Sequence, residues 1–116
     1  MDQDRLPTLF VSHGAPTLTL EDIPARAFLE SLGRQYRHVG SVLCISAHWN
    51  LPESRVNSVE NPEKIHDFYG FPQELYRIRY PAHGSPALAG RVVRILSDQG
   101  IFCGTDTTRG LDHGAW

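Results

Sequence analysis

The chain has 116 residues and a mass of 13.0 kDa, which is enough for one domain of ordinary size. Its hydrophobic fraction of 41% excludes a disordered tail. Its apolar runs are far shorter than the roughly 20 residues that a membrane span requires. The net charge is −2 and no basic run is present, so the electrostatic pattern of a nucleic-acid binder is absent. We therefore expect neither nucleic acid nor a membrane as a partner.

Cysteine content and the first residues bear on the compartment. The two cysteines, Cys44 and Cys103, are too few for a disulfide scaffold. The charged first residues lack the apolar stretch of a signal peptide. These features predict a reduced, cytoplasmic protein.

Taken in chain order, the hydrophobic pattern alternates between strand and helix. An apolar run predicts a buried strand, helical spacing predicts a helix, and Pro and Gly mark the turns between them. The predicted elements are a strand at 6–12, a helix at 22–37, strands at 40–47 and 55–59, a loop at 60–85 with a short helix near 73–75, a helix at 86–99, and a strand from 101. This alternation predicts an α/β fold, with a mostly parallel or mixed central sheet and helices on both faces.

His13 and His48 follow directly on the first two predicted strands. A strand–helix–strand unit is parallel, so both side chains are expected at the carboxyl edge of the sheet, where such folds bind ligands. Strands about 4.8 Å apart suit two imidazole nitrogens on one metal, which lie roughly 3.3 Å apart. Taken alone, each His is typical of a turn residue or a hydrogen-bonded strand end, and that alternative stays open.

Two further segments have the composition of a site. His113 lies between Asp112 and Gly114, which suits an acid–base or substrate-orienting residue; a surface turn is the alternative. The segment 66–72 combines a titratable pair with aromatic side chains around a glycine. It suits a loop that closes over a flat apolar ligand, or equally a loop fixed to the domain by its aromatic rings.

Several motifs occur together in order along the chain. They are His13-Gly14-Ala15-Pro16, Ser46-Ala47-His48-Trp49, Ile65-His66-Asp67-Phe68-Tyr69-Gly70-Phe71-Pro72, the segment 80–89, and Gly110-Leu111-Asp112-His113-Gly114-Ala115-Trp116. Together they resemble the DOPA-type extradiol ring-cleavage dioxygenases, which are relatives of the LigB-type catalytic subunit of protocatechuate 4,5-dioxygenase.

The resemblance implies extradiol cleavage of a catechol-type ring at a non-haem metal, either Fe(II) or Zn(II). It implies that His13 and His48 are metal ligands and that His113 is a catalytic residue that contacts substrate or dioxygen. The pocket-lining residues that it implies are His66, Asp67, Phe68 and Tyr69. The implied partners are a small phenolic or catechol substrate and O2, both of which need open positions on the metal.

Length is the main departure from the family. Its members carry a second half with the remaining ligands, so the resemblance implies that residues 1–116 are the N-terminal portion of one catalytic domain, with an incomplete sheet and ligand set. We therefore expect the chain alone to be inactive in ring cleavage. The uncovered sheet edge predicts a homo-oligomer or aggregation. The alternatives are a non-catalytic metal-binding or interaction module, and a zinc-dependent hydrolase on a similar scaffold.

Overall fold

A computed structural model describes residues 5–116 of the chain. Its elements are a 3₁₀-helix at Pro16–Leu20, α1 at Pro24–Gln35, β1 at Ser54–Asn57, α2 at Gln73–Arg77, α3 at Pro86–Asp98 and β2 at Cys103–Asp106. The predicted α/β class is therefore confirmed. No helix within residues 5–116 combines the length and the apolar character that crossing a membrane demands.

The sheet consists of β1 and β2, which pair in parallel with Ser54 opposite Cys103. Helix α3 precedes β2 in the chain and packs against both strands. A second parallel contact joins Lys64 to Leu111 beyond the strands. It is closed by hydrogen bonds from Ile65 N to Leu111 O (2.6 Å) and from Leu111 N to Glu63 O (2.7 Å). This contact fixes the start of the segment that carries His113.

Helix α3 forms where local signals are strongest. The Ser85 side chain accepts a hydrogen bond from Leu88 N at 3.1 Å, and Pro86 occupies the first turn, as is typical of a capped helix start. The helix ends before Gly100, whose φ of +73° is the left-handed conformation common after a helix. The prediction of a helix at 86–99 is confirmed.

The predicted strands at 6–12 and 40–47 are wrong: both segments lack regular secondary structure. Their apolar side chains are exposed, including Phe10 at 102% and Ile45 at 92%. A strand needs a neighbouring backbone for its hydrogen bonds, and neither segment has such a ladder within residues 5–116. The apolar pattern indicated burial but carried no information about the partner strand.

The core of the described chain is small. Its buried apolar side chains are Leu75, Ala89 and Cys103. The radius of gyration is 15.6 Å, whereas a closed domain of 100 residues has about 13 Å. The sheet is therefore incomplete, as predicted, and much apolar surface lies uncovered.

Candidate metal and substrate site

Three imidazole rings meet in the structure. Nε2 of His13 lies 3.0 Å from Nε2 of His48. The ring of His113 lies 3.9 Å from that of His48 and 5.0 Å from that of His13, centre to centre. One nitrogen from each ring lies within 4.8 Å of the other two. The approach of His13 and His48 was expected from the sequence, although the strands invoked to produce it do not form.

The orientation of His113 is set by Asp67. The Asp67 carboxylate lies 2.6 Å from Nδ1 of His113 and accepts a hydrogen bond from its backbone N–H at 3.1 Å. Because Nδ1 is engaged, Nε2 is the ring nitrogen left for a metal or a substrate. Partial burial acts to raise the pKa of Asp67, but the hydrogen bonds from His113 oppose it, and the net pKa is below the ordinary value. Asp67 is thus charged at neutral pH.

Asp112 ties the His48 segment to the C-terminal turn. Its side chain is buried, and Oδ1 accepts hydrogen bonds from Ser46 Oγ (2.6 Å) and Gly114 N (2.9 Å). Oδ2 accepts one from Nη2 of Arg109 at 3.0 Å. Ser46 Oγ in turn accepts the backbone N–H of His48 at 3.1 Å. Sequence reasoning gave Asp112 no role beyond that of an acidic neighbour, because its partner Ser46 lies 66 positions away in the chain.

Gly114 allows this close approach. A Cβ atom at this position would overlap Ser46 Oγ and lie 2.8 Å from Cδ2 of His48, which is closer than carbon atoms pack. The space beside Gly114 is filled by the His48 segment.

The cluster offers a suitable donor set for a metal. Neutral imidazole is a common ligand of zinc and iron, and the 3.0 Å between the His13 and His48 nitrogens is close to the roughly 3.3 Å expected for two ligands of one ion. The carboxylate of Asp67 behind His113 is the outer partner that such ligands usually have. The three imidazoles could therefore hold a metal ion, whereas the sequence had indicated two of them as ligands.

A cavity of about 280 Å³ opens beside the cluster. Among its lining residues are His13 and His113, with Pro16, Leu18, Leu29 and Trp116 as apolar walls and the charged pair Arg26 and Glu30. Such a mixture of apolar walls and few polar groups is typical of small-molecule sites. The contributions of the 3₁₀-helix and α1 were missed from the sequence, because they depend on how these elements pack together.

The predicted substrate loop lies beside the cluster but outside the cavity lining. The ring of Phe68 stands perpendicular to that of His113 at 5.5 Å between centres, and His66 contacts Trp116 edge to face. The Tyr69 side chain is 91% exposed. Within residues 5–116, the cavity lining includes none of the four residues His66, Asp67, Phe68 and Tyr69. Their contact with substrate stays a prediction.

Asp106, the last residue of β2, shapes the turn that leads into the site. Its carboxylate accepts hydrogen bonds from the backbone N–H groups of Thr108 (2.9 Å) and Arg109 (2.7 Å). These bonds lower the pKa of Asp106 below its ordinary value of 3.8. The negative charge on Asp106 therefore stabilises the folded chain.

Asp106→Asn is expected to unfold at lower urea concentration than the unaltered chain at pH 7. Because the folded-state pKa is lowered, the charge contributes its full stability above pH 3.8, and this contribution is lost as pH falls through the lowered pKa. The difference between the two proteins should thus shrink on acidification. Urea unfolding between pH 7 and pH values below 3.8 measures the difference in unfolding free energy. Asp98→Asn at the exposed end of α3 is the control. A difference independent of pH would contradict the assignment.

Comparison with known proteins assigns the chain to a protein family. Residues 7–116 match the family model described as the catalytic LigB subunit of aromatic ring-opening dioxygenase. The chain belongs to this LigB family.

The relatives include three proteins named 4,5-DOPA dioxygenase extradiol. The chain is 45% identical to the one from Mirabilis jalapa over 114 residues and 43% identical to that from Beta vulgaris over 113, which is 94% of this chain in each case. It is 40% identical to the Escherichia coli (strain K12) protein over 116 residues, or 100% of this chain. In all three the match covers 42% of the relative, so the chain spans less than half the length of these proteins.

Proposed function

We propose that this chain forms part of the active site of an extradiol dioxygenase that opens a catechol-type ring next to its hydroxyl groups. The observation that carries the proposal is the meeting of His13, His48 and His113 in a chain of the LigB family. We assign His13 and His48 as ligands of one metal ion, either Fe(II) or Zn(II), and His113 as the catalytic residue. The substrates are a small catechol and O2. The cytoplasm and a homo-oligomeric state stay predictions.

The metal, when bound, would supply Lewis acidity and the open positions at which both substrates meet. The residues of this chain would position a catechol and accept its proton. The apolar walls of the cavity would hold an aromatic ring beside His113.

In this proposal His113 accepts a proton from a catechol hydroxyl. Its Nδ1 is engaged by Asp67 at 2.6 Å, so Nε2 is the nitrogen that receives the proton. The Asp67 carboxylate then lies beside the imidazolium that forms, and both ring orientation and charge are supported by one side chain.

The test measures oxygen uptake and a yellow ring-opened product with catechol and Fe(II). A longer natural polypeptide that contains this chain is expected to form product, and the 116-residue chain alone is not. His113→Gln in the longer protein should lower kcat by about 100-fold or more, as the loss of a general base does. His83→Gln is the matched control, because His83 is exposed and contacts Asn61. No product from the intact, iron-loaded longer protein would overturn the proposal.

A further inference from the structure

We propose that Arg109 is a positioning residue that holds the segments of His48 and His113 together by contacting a neighbour of each. This inference rests on the function proposed above, since both imidazoles belong to the site that it describes. The two histidines lie far apart in the chain, so their relative position depends on tertiary contacts made around them.

The first contact of Arg109 is with the residue that follows His48. The guanidinium carbon of Arg109 lies 5.1 Å from the centre of the Trp49 ring, which is within the roughly 6 Å over which an aromatic face attracts a cation. Trp49 is half-buried, and partial desolvation strengthens such a contact. Because Trp49 is bonded directly to His48, holding its ring restricts the backbone that carries His48.

The second contact is with the residue that precedes His113. Nη2 of Arg109 donates to Oδ2 of Asp112 at 3.0 Å, and the two side chains are only 25% and 4% exposed. Salt screens a pair so little exposed much less than a surface pair. The other carboxylate oxygen of Asp112 accepts the hydroxyl of Ser46, so the carboxylate is a fixed partner for the guanidinium.

The backbone of Arg109 is attached to the end of the sheet. Its N–H donates to Oδ1 of Asp106 at 2.7 Å, and its carbonyl accepts a hydrogen bond from Nδ2 of Asn57. Asn57 and Asp106 are paired as the last residues of β1 and β2. Arg109 therefore links the sheet to both histidine segments.

This geometry calls for a guanidinium rather than for positive charge alone. Its carbon lies over the Trp49 ring while Nη2 donates to Asp112. A lysine ammonium is a compact point charge, and it would reach one of these partners at a time. Nε of Arg109 is buried and has no hydrogen-bond partner within residues 5–116, which costs folding free energy. The two contacts thus set the side-chain orientation at the expense of this donor.

The experiment compares Co(II) binding by the unaltered chain, Arg109→Lys, Trp49→Leu and the double variant. Each single substitution is expected to weaken binding about tenfold, the lower end of the range for residues that support metal ligands without touching the metal. Because both substitutions remove one shared contact, the double variant should also lose about tenfold rather than about 100-fold. Visible absorption of bound Co(II) gives each affinity.

A second measurement separates positioning from a general loss of stability. Urea unfolding identifies conditions in which each variant is folded, and the absorption spectrum at saturating Co(II) is recorded there. Its shape should change in Arg109→Lys, because the imidazoles meet the ion at altered angles; a merely structural role leaves it unchanged. Arg34→Lys on α1 is the matched control, because Arg34 is exposed, and it should alter neither affinity nor spectrum.

Trp49→Phe and Trp49→Leu complete the test if Arg109→Lys does not fold. Phenylalanine keeps an aromatic face for the cation, so Trp49→Phe should lose less Co(II) affinity than Trp49→Leu. Equal losses in the two variants would contradict the contact with Arg109.

The outcomes distinguish this inference from the proposed function. If the unaltered chain binds Co(II) and Arg109→Lys binds it equally well with the same spectrum, the positioning role is wrong and the proposed function stands. Losses that multiply to about 100-fold in the double variant would show that Arg109 and Trp49 act separately, which also contradicts the inference. If the unaltered chain binds no Co(II), the proposed function is wrong as well.

Discussion

Replacing His13 or His48 with alanine is expected to weaken binding of Co(II) or Zn(II) to this chain at least 100-fold. Each substitution removes one nitrogen from a cluster whose three donors lie within 4.8 Å of one another. Loss of even an outer partner of a ligand costs about 10–100-fold in metal affinity, and a direct ligand contributes more than that. Visible absorption of bound Co(II) gives the affinity, and competition with Zn(II) extends the range.

His83→Ala and His38→Ala are the controls for this experiment. Both side chains are exposed, and neither belongs to the cluster described for residues 5–116. These variants should bind Co(II) as the unaltered chain does. Equal affinity in all four variants would show that metal binds elsewhere and would remove the basis of the proposed function.

Asp112→Ala is expected to lower the free energy of unfolding by about 3 kcal/mol, since it leaves a partly buried Arg109 without its anion. The loss also frees the hydroxyl of Ser46, which accepts the His48 backbone N–H. Metal affinity should fall with stability, because the segments that carry His48 and His113 are no longer joined. Urea unfolding and Co(II) titration measure the two effects.

The control for Asp112 is Asp98→Ala, which removes an exposed carboxylate at the end of α3. Its effect should stay within about 0.5 kcal/mol, as for most surface positions. If Asp112→Ala does not fold, Asp112→Asn keeps one acceptor oxygen and should show a smaller loss in the same direction. Loss below 1 kcal/mol for both Asp112 variants would show that the buried carboxylate does not organise the site.

Helix α3 could be predicted from the sequence because its determinants are local. Ser85, Pro86 and Gly100 specify its start and end within the segment itself. The strand predictions for 6–12 and 40–47 were wrong for the opposite reason. Their apolar character is local, but a strand forms only with a partner strand, whose position in the chain is not fixed by local sequence.

The candidate site likewise has features that short motifs indicate and features that depend on long-range contacts. The chemistry of His13, His48 and His113 and its resemblance to a family could be recognised from short motifs. The pairing of Asp67 with His113 spans 46 residues, and that of Ser46 with Asp112 spans 66, so no local pattern indicates either. The role of α1 in lining the cavity could not be predicted either, because Arg26 and Glu30 have the i, i+4 spacing of an ordinary surface ion pair.

The long separations between these partners bear on the order in which the molecule is assembled. The contacts that close the imidazole cluster span 35, 46 and 66 residues, whereas α1 and α3 need only neighbours a few positions away. Closing long loops costs chain entropy before any contact repays it. We therefore expect the local contacts of the helices to form before the long-range contacts that bring the three imidazoles together.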